Sequence, residues 1–326
     1  MSVTIATYNR SSMVRQAIEA AMAQTLPPAE IVVTDDASTD DTWTALQSVA
    51  QGEPRVRVFR QTTNSGGVAN WNFAINQTHG DYIAWCSDDD RFLPDHLEAS
   101  VAYLEEHPSV GFVHAGFVDA IETENENERV ARPLRFPSDN VLESKDLMKY
   151  LVRYYDWPFH PSTIVMRRHV WNEVGPFDAR CALADTDWFV RAVEHFPATL
   201  LARHSVLNRR HPGNWSNRLG SAKMQREIFE IVEALIERTF SQSPFLRYFW
   251  RMAWRNNVRL RLSLTLKARL RFGQKEGAIA AWQQLANGTG STLPGWLVRF
   301  GDKLIRRWCA RRTPVFEDAR QSVSPL

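Results

Sequence analysis

Asp81-Tyr82-Ile83-Ala84-Trp85-Cys86 runs straight into Ser87-Asp88-Asp89-Asp90. The first six residues read as a buried strand, and that strand ends on three adjacent carboxylates. Working back from this junction, Gly66-Gly67 opens a helix to about Gln77, and Val56-Arg57-Val58-Phe59 alternates as a strand. A helix from about Asp40 to Ala50 follows the apolar strand Glu30-Ile31-Val32-Val33-Thr34, with Ser38 or Thr39 as its cap. A first helix, capped by Ser11 or Ser12, runs to about Gln24 with Val14, Ala17, Ile18 and Ala21 on one face. It follows a first strand, Val3 to Thr7. Working forward, Pro94 starts a helix to about His107, and Val110 to Val118 is a fifth strand. Strands alternating with helices at this pitch predict an α/β fold, a mostly parallel sheet with helices on both faces. In such sheets ligands bind at the carboxyl ends of the strands.

Three adjacent carboxylates repel one another, so the arrangement asks for a compensating cation. Mg²⁺ or Mn²⁺ takes oxygen ligands and often uses one or two carboxylates together with substrate phosphates. The competing reading is a solvated acidic turn ahead of the helix at Pro94. A second acidic pair, Asp35-Asp36, closes the second strand. Capping of the next helix accounts for Ser38 and Asp40 but leaves that pair unexplained. Two acidic strand ends in one parallel sheet predict a shared acidic crevice.

These residues, with Thr4-Ile5-Ala6-Thr7-Tyr8-Asn9-Arg10 before them, resemble the family 2 glycosyltransferases, and the likeness covers roughly residues 1–217. It implies the GT-A fold, a Rossmann-like nucleotide-sugar-binding domain: residues 1–118 would bind the donor and 119–217 the acceptor. Carried over residue by residue, it implies Thr7, Tyr8, Asn9 and Arg10 near the donor, with Tyr8 able to stack on the base. Asp36 matches the carboxylate that reads the base. Ser87-Asp88-Asp89 matches the DxD-type motif with Ser replacing the first Asp, which leaves Asp89 as metal ligand and Asp88 near the ribose or the metal. Asn64-Ser65-Gly66 resembles an Asn-x-Gly turn facing the phosphates, but Trp71-Asn72 replaces a common Arg-Asn pair later in that helix. Gly175-Pro176-Phe177-Asp178 and Ala184-Asp185 match the turn and acidic pair before the catalytic helix. Ala184 replaces a Glu, and Asp185 aligns with the base that takes the acceptor proton. Arg209-Arg210-His211-Pro212-Gly213-Asn214 resembles a late motif, implying Arg209 at the donor and His211 at the metal. The cofactor implied is a divalent cation, Mn²⁺ or Mg²⁺. The partners implied are a nucleotide-diphosphate sugar and a glycan or lipid-linked acceptor. For His160, Trp157 and Trp188 the choice lies between an acceptor pocket and the core.

Beyond residue 118 the pattern loosens. The polar stretch Glu122-Thr123-Glu124-Asn125-Glu126-Asn127-Glu128 reads as a mobile loop or insertion. Residues 143–154 and 185–195 read as helices, 162–167 as a strand and 199–210 as a strand or hairpin. Residues 218–326 form a helical C-terminal region, broken by Pro244, Gly273, the 287–295 loop and Pro314.

Charge divides the chain in the same way. The net formal charge is +2, which argues against a nucleic-acid-binding tail. Yet residues 241–312 carry 15 Lys or Arg against 2 Asp or Glu, while the first 240 residues sum to −10. Arg247, Arg251, Arg255 and Arg259 recur every four residues beside Trp250, Trp254, Val258, Leu262, Leu266 and Leu270, and residues 296–308 repeat the chemistry. This basic amphipathic region would dock on an anionic membrane surface, pack on protein or support an oligomer. No apolar run is long enough to span a bilayer, and no cleaved leader is expected at the start. The three cysteines, Cys86, Cys181 and Cys309, match no zinc spacing. A cytoplasmic setting is expected, with peripheral attachment to the inner face of the plasma membrane as its extension. Two other functions fit fewer residues. A sugar nucleotidyltransferase would need a Gly-rich basic loop after the first strand, where Tyr8-Asn9-Arg10-Ser11 stands. A non-catalytic sugar-nucleotide or membrane-binding scaffold would account for Ser87 and Ala184.

Overall fold

The computed structural model describes residues 1–122, 127–131, 139–154, 160–211, 213–214 and 222–271. The chain divides into two compact units, Met1–Lys149 with Asp156–Leu219 and Tyr150–Tyr155 with Gly220–Leu326.

The first unit opens with β1 (Ser2–Thr7), α1 (Ser11–Met22), β2 (Glu30–Asp35), α2 (Thr42–Gly52), β3 (Val56–Arg60), α3 (Gly67–Asn76) and β4 (Tyr82–Ser87). β3, β2, β1 and β4 lie side by side and parallel, as the alternation predicts. Such strands are covered on both faces, which is why they read as unbroken apolar runs. Val3, Ile5, Ile31 and Val33 pack with Val14, Ala17, Ile18 and Ala21 of α1 and Leu46 of α2. On the opposite face the Asn70 side chain of α3 donates to the Thr34 carbonyl at 2.9 Å. The register sets Thr7 against Asp35 and Ala6 against Ser87, so β1, β2 and β4 end level.

β5 (Arg91–Phe92), α4 (His96–Glu106), β6 (Phe112–Glu122), β7 (Asn127–Ala131), β8 (Asn140–Leu142) and α5 (Ser144–Tyr154) follow. Next come a 3-10 turn (Pro161–Thr163), β9 (Val165–Arg167), α6 (Arg168–Val174), α7 (Ala184–His195) and β10 (Ala198–Arg210). Here the sheet turns mixed. β9 runs antiparallel between β4 and β6, its Met166 facing Ile83 on one side and Phe112 on the other. β10 then runs parallel to β6, with register shifts around His204.

Several expectations change. The polar stretch taken for a mobile loop contains the end of β6 and the start of β7, which pair antiparallel from Val118–Ala131 to Glu122–Asn127. Backbone hydrogen bonds carry such a ribbon, so polar composition does not forbid it; residues 123–126 lie outside the described part. Residues 199–210 belong to one long strand, not a hairpin. Ser38 does not cap α2, because its hydroxyl is engaged with Asp35 and the Asn9 amide. Thr42 N–H instead donates to Asp40 at 3.0 Å. Ser11 opens α1 without serving as a side-chain cap.

In the second unit, α8 (Ala222–Thr239) and α9 (Pro244–Arg271) form a helix pair. Arg247 donates to Glu237 at 3.1 Å and Arg255 to Glu233 at 3.0 Å, while Arg251 bridges both glutamates. Trp254 stacks with Phe229 and Trp250 with Phe240. Of the four-residue arginine series, Arg247, Arg251 and Arg255 therefore serve the α8 partner. A different face of α9 meets solvent, with Phe245 75%, Tyr248 66% and Phe249 51% exposed and Met252 beside them. Among the described residues no helix is long and apolar enough to cross a membrane. The 296–308 segment, the 287–295 loop, Gly273, Pro314, Trp157 and Cys309 lie outside the described residues.

Candidate active site

The level strand ends bring three turns together. After β1, Asn9 takes a positive φ of 52°, a conformation its short amide side chain tolerates. Its backbone N–H donates to Ser38 Oγ at 2.8 Å, and its side-chain oxygen accepts from Thr39 N–H at 2.8 Å. The Arg10 N–H donates to Thr42 Oγ1 at 3.0 Å. The turn after β1 is thus clamped to the turn after β2, and the Arg10 side chain is sent toward β4.

Arg10 meets the acid run there. Its Nη1 donates to Asp88 Oδ1 at 2.7 Å and to Asp89 Oδ2 at 2.9 Å. Thr7 Oγ1 donates to the other oxygen of Asp88 at 2.8 Å. β5, immediately after the acids, pairs antiparallel with β10 through Phe92–Val206 and Arg91–Leu207. That pairing draws the end of β10 and the residues after it onto the carboxylates. His211 Nε2 lies 3.1 Å from Asp89 Oδ2, and Asn214 Nδ2 donates to the same oxygen at 3.2 Å. Arg10 also donates to the Gly213 carbonyl at 3.0 Å, closing the ring.

The three acids are buried but have different surroundings. Burial pushes Asp88 up to about 6, against the pull of Arg10. Burial also works against the Arg10 charge, yet Asp88 and Asp89 hold its pKa above the ordinary value. Asp90 points inward, accepting from Ser162 Oγ at 2.5 Å and from the Arg209 N–H at 3.3 Å. Burial, with the neighbouring Asp89 charge, pushes it well above the carboxylate range. His160 Nδ1 lies 3.7 Å from Asp90.

The second acidic strand end is built otherwise. Asp35 accepts from Ser38 and pairs with Arg60 Nε at 3.2 Å. Asp36 holds the turn before α3: Oδ1 accepts from Ser65 N–H and Ser65 Oγ, and Oδ2 from Gly66 N–H, all at 2.8 Å. Gly66, at φ 88°, has the left-handed backbone that glycine adopts without strain, and Asn64 also accepts from its N–H. Tyr8, just past the end of β1, stands 42% exposed.

Of the late residues, Arg209 is buried with its guanidinium on Gln16 of α1, while Arg210 turns to Asp119 of β6 at 2.8 Å. Asp185 lies in the first turn of α7. Burial raises its pKa, and hydrogen bonds from its own and the Thr186 backbone amides and from the Thr186 hydroxyl offset part of that. Asp187 is committed elsewhere, to Arg191 at 2.9 Å, which in turn donates to the Val174 and Pro176 carbonyls.

A model of the family described as glycosyl transferase family 2 matches residues 2–175. The chain belongs to that family. An uncharacterized glycosyltransferase of Bacillus subtilis, YwdF, is 30% identical over 212 residues, covering 64% of this chain and 73% of the relative. The GalNAc(5)-diNAcBac-PP-undecaprenol beta-1,3-glucosyltransferase of Campylobacter jejuni is 26% identical over 149 residues, 45% of this chain and 47% of that one. The fold resembles Staphylococcus aureus TarS 1-349, solved in complex with UDP-GlcNAc, with a TM-score of 0.64 at 16% identity over 98% of this chain and 91% of that one.

As a family 2 glycosyltransferase, this chain departs from the usual residues at three places, and the structure gives each a packing role. Trp71 lies edge-on to Trp85 with ring centres 4.7 Å apart and also meets Phe177. Its neighbour Asn72 exchanges two 2.9 Å hydrogen bonds with the Phe177 backbone. The turn leading to Asp185 is therefore anchored on α3 and on the strand that carries the acids. Ser87 bonds Ser162, and Ala184 is buried. Trp188 is fully buried with its Nε1 on the Gly175 carbonyl, which places it in the core. The clamp by Asn72 and the Asn214 contact with Asp89 were not singled out from sequence. The Asn-x-Gly and late-motif matches passed through both neighbourhoods without identifying the partners.

Proposed function

We propose that this chain transfers a sugar, with inversion, from a nucleotide-diphosphate sugar to a hydroxyl of a glycan or lipid-linked acceptor. The observation that carries the reading is the cluster of Arg10, Asp88, Asp89 and His211 at the carboxyl edge of a family 2 sheet. Donor contacts fall to Thr7, Tyr8, Asn9, Arg10, Asp88, Arg209 and the Asn64–Gly66 turn. Tyr8 offers a ring to the base. Asp36 sets the turn and keeps a lone pair on Oδ2 for a base or ribose donor. Arg209, held by Gln16, adds positive charge behind the acids.

Asp185 is the base. The acceptor oxygen attacks the anomeric carbon, its proton passes to the Asp185 carboxylate, and the bond to the diphosphate breaks with its electron pair on the leaving oxygen. A carboxylate of raised pKa, with no cation paired to it among the described residues, suits that role better than Asp187, which Arg191 neutralises.

The donor set fits a hard divalent cation, Mn²⁺ or Mg²⁺. One carboxylate oxygen and one imidazole nitrogen already lie 3.1 Å apart. Asp89 and His211 would hold the ion, which when bound offsets charge on the departing diphosphate. Turnover of a panel of UDP-, GDP- and dTDP-sugars with Mn²⁺ tests the whole reading. Activity lost in both Asp89→Asn and Asp185→Asn supports it, and activity surviving both refutes these assignments.

A lipid-linked acceptor would be met at an anionic surface, and residues 241–312 carry the charge for it. Because Arg247, Arg251 and Arg255 are engaged by Glu233 and Glu237, the membrane-facing group is Phe245, Tyr248, Phe249 and Met252. α9 itself holds eight basic residues and no acidic one, which favours anionic headgroups around that apolar face. Peripheral attachment to the cytoplasmic face of a membrane is part of this proposal. Flotation with phosphatidylglycerol vesicles, lost when Phe245, Tyr248 and Phe249 become Ser, is the expected result. Unchanged flotation refutes it, as does a concentration-dependent dimer that the same changes abolish.

A further inference from the structure

Two buried carboxylates on adjacent residues share one side-chain counter-ion, Arg10. The side chain reaches them from the turn between β1 and α1, and Nη1 touches both at 2.7 and 2.9 Å. Its other terminal nitrogen holds the Gly213 carbonyl at 3.0 Å, in the segment that also carries His211 and Asn214. Asp89 Oδ2 is the hub, taking Arg10, His211 and Asn214 at 2.9, 3.1 and 3.2 Å. The guanidinium therefore stands on the oxygen that the reading above gives to a divalent cation.

The Arg10 geometry suits a position held in two states. The guanidinium remains about a quarter exposed while the acids it pairs are almost closed. Asp88 and Asp89 are adjacent, buried and of like charge, so removing their shared positive partner without replacing it is costly. A guanidinium is always charged and forks naturally onto either carboxylate or phosphate.

We infer that Arg10 is the resident counter-ion of Asp88 and Asp89, which a divalent cation displaces and which then turns to the donor diphosphate. The inference rests on the proposed metal role of Asp89. The acids keep a positive partner throughout: the singly charged Arg10 before the ion arrives, the doubly charged ion afterwards. The exchange also links the two ligands. The ion gains little at Asp89 unless Arg10 has another anion to bind, so cation and donor favour each other's binding.

The test is Mn²⁺ titration of the full chain without donor, read by the loss of the free-ion electron paramagnetic resonance signal. Arg10→Gln is expected to bind Mn²⁺ at least tenfold more tightly than the unaltered chain. Its melting temperature should fall in chelator and be restored by Mn²⁺ by more than the unaltered chain gains. Equal or weaker Mn²⁺ affinity overturns the inference. If Arg10→Gln folds only with Mn²⁺, the inference is supported. If it does not fold at all, Arg10→Lys is read in its place: it keeps the charge but not the fork, and unchanged Mn²⁺ affinity there overturns the inference. Asp89→Asn separates the two readings. Binding that needs Asp89 but is indifferent to position 10 sinks the Arg10 exchange and leaves the metal site standing, whereas binding indifferent to Asp89 in every variant sinks both.

Discussion

The sheet presents two acidic strand ends a few residues apart in space, and they are built to opposite specifications. After β2, every carboxylate oxygen has local work: Asp35 holds Ser38 and Arg60, and Asp36 holds Ser65 and Gly66. After β4, Asp88 and Asp89 depend on one arginine from the turn after β1 and on a histidine and an asparagine just past the end of β10. The first end is closed by its own loops. The second is closed by groups that can be exchanged for a ligand. Acidic composition at a strand end therefore does not identify a ligand site; the origin of the counter-charge does.

The largest expected effect comes from outside both ends and gives the scale. Asp185→Asn should cut transfer by about 10²–10⁴, the usual contribution of a general base, with donor affinity and melting temperature nearly unchanged. A loss confined to KM would assign Asp185 to binding. At the β4 end, Asp89→Asn should cut turnover at least a hundredfold while changing unfolding free energy by less than about 1 kcal/mol, because its neighbours remain hydrogen-bonded.

Acid provides the next test. Burial holds His96 and His114 down at about 3, so both stay neutral in the fold. Below the ordinary imidazole value of about 6.5, the unfolded chain binds protons that the folded chain refuses. Their contribution is therefore complete above that value and drains away as pH falls toward about 3, at about 1.4 kcal/mol per pH unit for each histidine. Asp88, held up at about 6, works in the opposite direction below that pH. Urea midpoints from pH 7 to pH 4 should fall in the unaltered chain and flatten in His96→Phe.

At the β2 end, Asp36→Ala removes three hydrogen bonds to a carboxylate, and a loss of about 2–4 kcal/mol is expected, with Ser65→Ala losing about 1 kcal/mol. If Asp36→Ala instead leaves stability intact and raises only the donor KM, the two ends are alike and the contrast fails. The smallest effect belongs to the helix pair: Arg251→Ala should cost under about 1 kcal/mol, since its ion pairs are partly exposed.

Much of this was legible from residue order. β1, β2 and β4 were readable as apolar runs because parallel strands are buried on both sides, and α1 because Val14, Ala17, Ile18 and Ala21 share one helical face. The carboxyl-edge position of Asp36 and Asp88–Asp90 followed from that alternation. Less was legible where pairing is non-local. Residues 162–167 read as a strand, but the three that form β9, Val165–Arg167, carry too little pattern to reveal that it runs antiparallel between β4 and β6. The β6–β7 ribbon was hidden by its charges, because backbone bonds rather than apolar faces hold it. The pairing of Arg247, Arg251 and Arg255 with Glu233 and Glu237 was not legible either, because those partners lie on another helix.

The sequence by itself determined the family, the order of strands and helices, and the set of ionisable side chains that reach the edge of the sheet. Local propensity and periodicity suffice for the element order, which depends on near neighbours; the family followed from the resemblance of the motifs. Only the tertiary structure decided which carboxylate answers to which charge. Arg10 meets Asp88 and Asp89 across 78 and 79 residues, and His211 meets Asp89 across 122. Electrostatic partnership depends on distance in space and on burial, and neither is fixed until the strands have taken their register.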